Sequence, residues 1–259
     1  MSGTRIRTER RGRVTIVTMD GIERHNALDA TAQAEMAAAF DAFAADDEQW
    51  IAILTGAGER AFCAGHDLKT PPPEGPDGLP ASGFGGLTAR FDLDKPVIAA
   101  VNGVAVGGGF EMALACDVVV AVPGASFALP EVKVGMAALG GGILRLPRAI
   151  GLQRAMGLML TGRRVTAEEG LAMGFVTEIA GEEGALSAAL RWADLLLAAS
   201  PLAVRATKAV ALQCTDEPLD AAMNRQWTLP AVARMQRSED AAEGPAAFNA
   251  RRPPEWKGR

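Results

Sequence analysis

The chain has 259 residues, 49% of them apolar and 22% charged, and a net charge of −5. That length suits one large domain, or one domain with a helical extension, and the composition is that of a soluble globular protein. No apolar run approaches the roughly 20 residues of a membrane span, and no basic stripe offsets the negative charge to favour nucleic acid.

The N-terminal stretch, residues 1–13, is polar and arginine-rich with no apolar segment behind it, so a secretory signal is not expected. Arg13 to Met19 carries β-branched residues (Val14, Ile16, Val17) and reads as a strand. Asp29 is placed to cap a helix running to about Asp46, with Leu28, Ala32, Met36, Phe40 and Phe43 at helical spacing. Trp50 to Thr55 reads as a short buried strand. Thr70 to Gly86, rich in Pro and Gly, reads as an irregular surface loop. Val97 to Val101 and Asp117 to Val122 are two further buried strands. From Ile143 onward the pattern is mostly helical. Thr166-Ala167-Glu168-Glu169 fits a capping box, Ser200-Pro201 pairs an N-cap with a first-turn proline, and Ser238 is a further cap. Strands early and helices late predict an α/β core followed by a helical tail.

Three cysteines, Cys63, Cys116 and Cys214, are odd in number and widely spaced. They fit reduced thiols in a cytoplasmic protein better than disulfides or a zinc site. Only two histidines, His25 and His66, are available for metal ligation, and there is no tyrosine. Acid–base chemistry therefore falls to carboxylates, the histidines, lysines or cysteines.

The segment Asn102-Gly103-Val104-Ala105-Val106-Gly107-Gly108-Gly109-Phe110-Glu111 carries the most chemical information. An apolar strand feeds a triple glycine, then a helix with a carboxylate in its first turn. Free N–H groups at a helix start attract negative charge, and glycines let another molecule approach them. Such a segment can hold a carbonyl that becomes an oxyanion. It can equally serve only to pack a helix closely on a strand. Gly56-Ala57-Gly58-Glu59-Arg60-Ala61 matches a dinucleotide fingerprint in outline, but the long helix that fingerprint needs is missing, and a glycine turn is the better reading. Ala61 to Lys69 reads as another tight turn. Within it Cys63 has the marks of a small buried residue, and His66 those of a surface residue. Pro130 restricts Leu129 to extended backbone and sets Glu131 on a rigid turn. Glu111 and Glu131 are candidates for a paired acid and base, although spacing alone does not bring them together. Gly135 to Gly142 looks like a phosphate-binding loop without the Gly-Lys-Ser/Thr ending, or like a flexible connector.

In this order the segments resemble the crotonase (enoyl-CoA hydratase/isomerase) superfamily. The resemblance begins at Arg24-His25-Asn26-Ala27-Leu28 and passes through Ala61 to Leu68. It is strongest over Lys95 to Gly103 and Gly107 to Glu111, and continues through Phe127 to Glu131. It ends at Glu243 to Phe248 and Arg252 to Arg259. It implies an α/β fold, a spiral of ββα turns over residues 1–199, with a C-terminal helical oligomerisation region over residues 200–259. It implies a homotrimer, or a dimer of trimers, acting on acyl-CoA. The backbone N–H groups of His66 and Gly108 would form the oxyanion hole. Arg24, Ala27 and Leu28, with Ala64, Asp67 and Leu68, would contact CoA, and Lys257 would reach CoA bound in a neighbouring subunit.

Family hydratases carry glutamates at the positions of Glu111 and Glu131. The resemblance therefore implies addition of water to a trans-2-enoyl-CoA, with Glu111 as base and Glu131 as acid. No metal or redox cofactor is implied, since coenzyme A enters as part of the substrate. Leu139 is a departure: Ala138-Leu139 stands where many hydratases have Pro-Gly, and Leu139 would fall near the expected water. Double-bond isomerisation, another thioester-enolate reaction and a non-catalytic acyl-CoA-binding role are the competing expectations.

Overall fold

The structure is a computed structural model and describes residues 5–70 and 78–259. The proline run at 71–73, within the expected surface loop, lies outside the described residues. Two compact units are present. One comprises the chain up to Arg90 together with Val97–Arg191; the other comprises Phe91–Pro96 and Trp192–Arg259.

The first unit begins with strands β1 (Ile6–Arg11) and β2 (Val14–Met19), helix α1 (Ala30–Ala45), and strands β3 (Ile51–Gly56) and β4 (Ala61–Cys63). Strands β5 (Val97–Val101) and β6 (Val104–Val106) lead into helix α2 (Gly108–Ala115). Strands β7 (Val118–Ala121) and β8 (Ser126–Ala128) lead to helices α3 (Gly142–Ile150) and α4 (Leu152–Met159). Strand β9 (Val165–Thr166), helix α5 (Ala167–Met173) and strand β10 (Glu178–Ile179) follow.

Two sheets result. The larger runs β1-β2-β3-β5-β7-β10, and the smaller runs β4-β6-β8-β9. Each of the pairs β3–β4, β5–β6 and β7–β8 contributes one strand to each sheet. Strands β2, β3, β5, β7 and β10 run parallel to one another, as do β4, β6 and β8, while β1 and β9 pair antiparallel with β2 and β8. This is a spiral of ββα turns. The central strands β3 and β5 are buried along their whole length. That burial explains their near-continuous apolar composition, typical of parallel strands covered on both faces.

The expected helix from Asp29 is present. Asp29 accepts a hydrogen bond from the Ala32 N–H, and Ala32, Met36, Phe40 and Phe43 are buried. The capping box at Thr166 and the caps at Ser200 and Ser238 also form. The polar N-terminal stretch, however, contains strand β1, paired antiparallel with β2. Five of its six side chains are exposed. It lies at the sheet edge, where backbone bonding needs no apolar period and charged side chains discourage further pairing. The short strands of the smaller sheet, three residues or fewer each, also carry no periodic signal.

Two asparagines tie the turn between β3 and β4. Asn26, 1% exposed, donates to the carbonyls of Ala57 and Ala61 and accepts from the Gly21 N–H. Asn102 accepts from the Gly56 N–H and donates to the Gly56, Gly58 and Ala61 carbonyls.

Helix α6 (Gly184–Leu197) contains the division between the units, and α7 (Pro201–Cys214), α8 (Leu219–Arg225), α9 (Pro230–Gln236) and α10 (Glu239–Asn249) follow. In the second unit Ala206, Cys214, Leu229 and Val232 form a small core. Arg205 pairs with Asp94 at 2.7 Å, and Lys208 donates to the Lys95 carbonyl. Buried Asp240 accepts from the Ser200 hydroxyl and from the Lys257 and Gly258 N–H groups. Among the described residues, no single helix is long and apolar enough to cross a membrane.

Asn26→Ala should destabilise the protein by about 2–4 kcal/mol, because it takes the partner from the buried Ala57 carbonyl and the Gly21 N–H and one of two asparagine donors from the Ala61 carbonyl. The shift of a urea midpoint at unchanged slope measures this, and an unshifted midpoint would contradict it.

Candidate active site

The smaller sheet assembles the candidate site. Strands β4, β6 and β8 lie side by side and parallel, so their C-terminal ends fall along one edge. The chain leaves β4 into Gly65-His66, β6 into Gly107-Gly108, and β8 into Pro130-Glu131. Ligand crevices of α/β sheets form outside strand C-termini for this reason.

Register fixes the distances. Val106 pairs with Ala128, and the Gly107 N–H donates to the Ala128 carbonyl at 2.9 Å. Glu131, first residue of a 3-10 turn over Glu131–Val134, is thereby set beside the start of α2. A Cβ on Gly107 would lie 3.1 Å from Glu131 Oε1, and the φ of +57° at Gly107 also disfavours any other residue. A Cβ on Gly65 would lie 3.1 Å from the Gly108 nitrogen. Side chains at Gly108 and Gly109 would strike the Phe84 ring and the Cys63 carbonyl respectively. The triple glycine therefore packs α2 closely and also leaves its first amides approachable. Phe110 stacks with Phe127 and Phe175 at centroid separations of 5.2 and 5.0 Å, which anchors the helix that carries Glu111.

The His66 backbone is oriented by a parallel bridge to Leu28. The Leu28 N–H donates to the Gly65 carbonyl, and the Asp67 N–H donates to the Leu28 carbonyl. These bonds use the groups flanking His66, so its own N–H is directed to the side opposite Leu28. The Gly108 N–H is one of the first-turn amides that an α-helix leaves without an intrahelical partner. The His66 imidazole is turned to Thr70, with Nε2 3.3 Å from its carbonyl oxygen. It is half-buried rather than a surface group. Cys63 is fully buried, and burial pushes its thiol up to about 12, as a small packing residue requires.

Glu111 is 4% exposed, and Oε1 accepts from the Gly142 N–H at 2.8 Å. Burial pushes its carboxyl up to about 7. The Gly142 N–H opposes the rise, the Glu131 charge adds to it, and the Gly140 N–H and Arg145 oppose it. Glu131 is also raised, chiefly by burial, and its Oε2 is buried without a hydrogen-bond partner.

The Gly135–Gly142 segment differs from both expectations for it. Its last glycines form a bed for a protein carboxylate rather than a phosphate loop or a slack connector. A Cβ on Gly140 would lie 2.5 Å from Glu111 Oε2. This partner was not apparent from spacing, although a glycine run ahead of a helix is the same signal as Gly107–Gly109. Leu139 adjoins this bed with its side chain 79% exposed.

The remaining expected contacts fall in two places. Arg24, Ala27 and Leu28 lie against Ala64, Asp67 and Leu68, joined by the Leu28–His66 bridge and by the Ala64 N–H to the His25 carbonyl. Arg24 approaches Asp29 and Asp67 at 3.8 and 3.9 Å, and Leu68 is largely exposed. A cavity of about 380 Å³ adjoins this wall, lined in part by Asp29, Gln33, His66 and Thr70. Lys257 belongs to the C-terminal unit, where its amine lies 3.7 Å from Glu255. Among the described residues, no group of three or more His, Cys, Asp or Glu is arranged to hold a metal ion.

Residues 9–259 match the enoyl-CoA hydratase/isomerase family. The chain belongs to that family. It is 43% identical over 253 residues to carnitinyl-CoA dehydratase of Proteus mirabilis, covering 96% of this chain and 97% of that protein. Carnitinyl-CoA dehydratase of Salmonella arizonae is also 43% identical, with 98% of each chain covered. Among solved structures, enoyl-CoA hydratase of Mycobacterium tuberculosis superimposes with a TM-score of 0.90 at 38% identity, over 99% of this chain and all of that one. The chain is thus a member of the crotonase superfamily, an enzyme family acting on CoA thioesters, and shares its α/β fold.

Folding Glu111 into this family site has a cost that depends on pH. Its carboxyl rises from 4.5 to about 7, so the folded state binds the proton more tightly than the unfolded chain. The associated stability is fully present below the unfolded value and is lost as pH rises through about 7. Glu111→Gln keeps an acceptor for Gly142 and cannot ionise. It should exceed the parent in stability at about pH 8 by on the order of 1–3 kcal/mol, with the gap closing in acid. Urea unfolding at both pH values measures the difference, and equal midpoints at the higher pH would rule out the burial cost.

Proposed function

We propose that this family member is an enoyl-CoA hydratase, adding water across C2–C3 of a trans-2-enoyl-CoA to give a 3-hydroxyacyl-CoA. The observation that carries the reading is the pair Glu111 and Glu131. Both are buried enough to be raised in pKa, and they come from neighbouring strand ends beside two candidate oxyanion donors. Titratable pairs perturbed in this way supply an acid and a base near neutral pH.

In the proposed reaction the thioester oxygen accepts from the His66 and Gly108 N–H groups. Glu111 takes a proton from water as the water oxygen bonds to C3. The C2–C3 π electrons move towards the thioester carbonyl, and the enolate oxygen is held by the two amides. Glu131 then gives its proton to C2. The proton left on Glu111 returns to Glu131 by exchange with solvent. The Gly142 N–H and the Arg145 charge favour the ionised form that a base requires. Glu131 Oε2, without a donor of its own, suits a proton carrier. One oxyanion donor is worth about 10²–10³ in rate.

Arg24, Ala27, Leu28, Ala64, Asp67 and Leu68 would form the CoA wall. In a homotrimer or dimer of trimers, Lys257 of an adjacent subunit would add a cation to it. The reaction uses carboxylates and amides alone, with coenzyme A as part of the substrate.

A second reading is favoured by the 43% identity to carnitinyl-CoA dehydratases over nearly the whole chain. The same groups would then run in reverse, removing water from a 3-hydroxyacyl-CoA that carries a cationic C4 substituent. Loss of enoyl absorbance with crotonyl-CoA, and its appearance with carnitinyl-CoA, separate the two. Glu111→Gln and Glu131→Gln should each lower kcat by roughly 10³-fold, within the range of general acid–base effects, while calorimetry still detects CoA-thioester binding. Full activity in either variant would remove that residue from its role. A parent enzyme inert towards both thioesters would end the proposal.

A further inference from the structure

Arg145 is a half-buried cation on the first turn of α3 that the proposed chemistry does not itself consume. Its backbone N–H donates to the Gly141 carbonyl at 2.8 Å, within the glycine bed that supports Glu111. Its guanidinium crosses over Gly141, where any Cβ would strike Nη1, and Nη2 donates to the Thr88 carbonyl at 2.7 Å. Thr88 is buried, and its N–H donates to the Phe84 carbonyl. Phe84 is the ring against which Gly108 rests. One side chain thus joins the segment holding the Glu111 carboxylate to the segment backing the Gly108 amide.

We propose that Arg145 is a positioning residue for the reaction, keeping Glu111 in register with the Gly108 amide through the Thr88 carbonyl. The role rests on the hydration reading above. A guanidinium suits it because its planar fork holds a carbonyl while its charge remains permanent. Glu131, from the turn after β8, and Arg145, from α3, act on Glu111 itself, and Cys116 and Arg148 act on Arg145. The Arg145 charge is attracted by Glu111 and Cys116 and opposed by Arg148. Removing it takes away a side-chain cation that, after the Gly142 and Gly140 N–H groups, holds the Glu111 carboxyl down.

The test uses the full-length protein with Arg145→Met, Arg145→Gln and Arg145→Lys. For hydration of crotonyl-CoA, Arg145→Met should lower kcat by roughly 10²-fold, the loss expected when reacting groups are misplaced by about 1 Å. KM should change by less than about threefold, as for an interaction that matters in the transition state. The acid limb of the pH profile should move to higher pH. Arg145→Lys keeps the charge, so its limb should stay in place while kcat falls less. Arg145→Gln keeps a donor for Thr88 without the charge, so it should shift the limb and serves if the Met variant does not fold.

A carbon-13 titration of the Glu111 carboxyl, assigned by its loss in Glu111→Gln, reads the same shift without turnover. Should the parent turn over no CoA thioester while the carboxyl midpoint rises in the neutral variants, the hydration reading falls and the Arg145–Glu111 linkage stands. An active parent whose neutral variants keep both limb and midpoint overturns the linkage. A loss confined to KM overturns it as well.

Discussion

Most of what this protein can do depends on the parallel register of β4, β6 and β8. The hydrogen bond from the Gly107 N–H to the Ala128 carbonyl sets where α2 begins relative to the turn carrying Glu131. The neighbouring β4–β6 pairing places Gly65 against the Gly108 amide. Three strand ends of only three residues each thereby deliver two backbone donors and two carboxylates to one edge. Such short strands contribute little stability by themselves. They are held by the larger sheet, whose β3, β5 and β7 precede them one for one, and by the Phe110–Phe127–Phe175 cluster.

Electrostatics gives the two carboxylates of the candidate site unlike surroundings. Burial raises both glutamates, and the donors around each differ. Glu111 lies on the N–H groups of a glycine bed with an arginine behind it, whereas Glu131 Oε2 faces no donor. Two like groups in unlike surroundings are a means of obtaining an acid and a base from the same chemistry. The cost of burying Glu111 is stability at neutral pH.

Local signals were legible wherever one stretch of chain contained both partners. The cap at Asp29, the box at Thr166–Glu169 and the strand Val97–Val101 each form over the expected residues. Strand β1 was not legible, because an exposed edge strand is held by backbone bonds and its side chains follow no period. The role of Gly140–Gly142 was not legible either, since its partner Glu111 lies 31 residues away in the chain. The same holds for Arg145, whose carbonyl partner is 57 residues distant.

The sequence by itself determined the α/β character, the helix boundaries set by caps, the glycine–helix–carboxylate segment and the family. Those properties arise from neighbours along the chain, or from a series of short segments in a fixed order. Only the tertiary structure decided that Glu131 stands over Gly107, that Gly65 comes up against the Gly108 amide, and that the second glycine loop holds a carboxylate instead of a phosphate. Each of those outcomes requires two distant segments to meet at contact distance. The hydrogen-bond register between strands, which no local pattern encodes, is what brings them together.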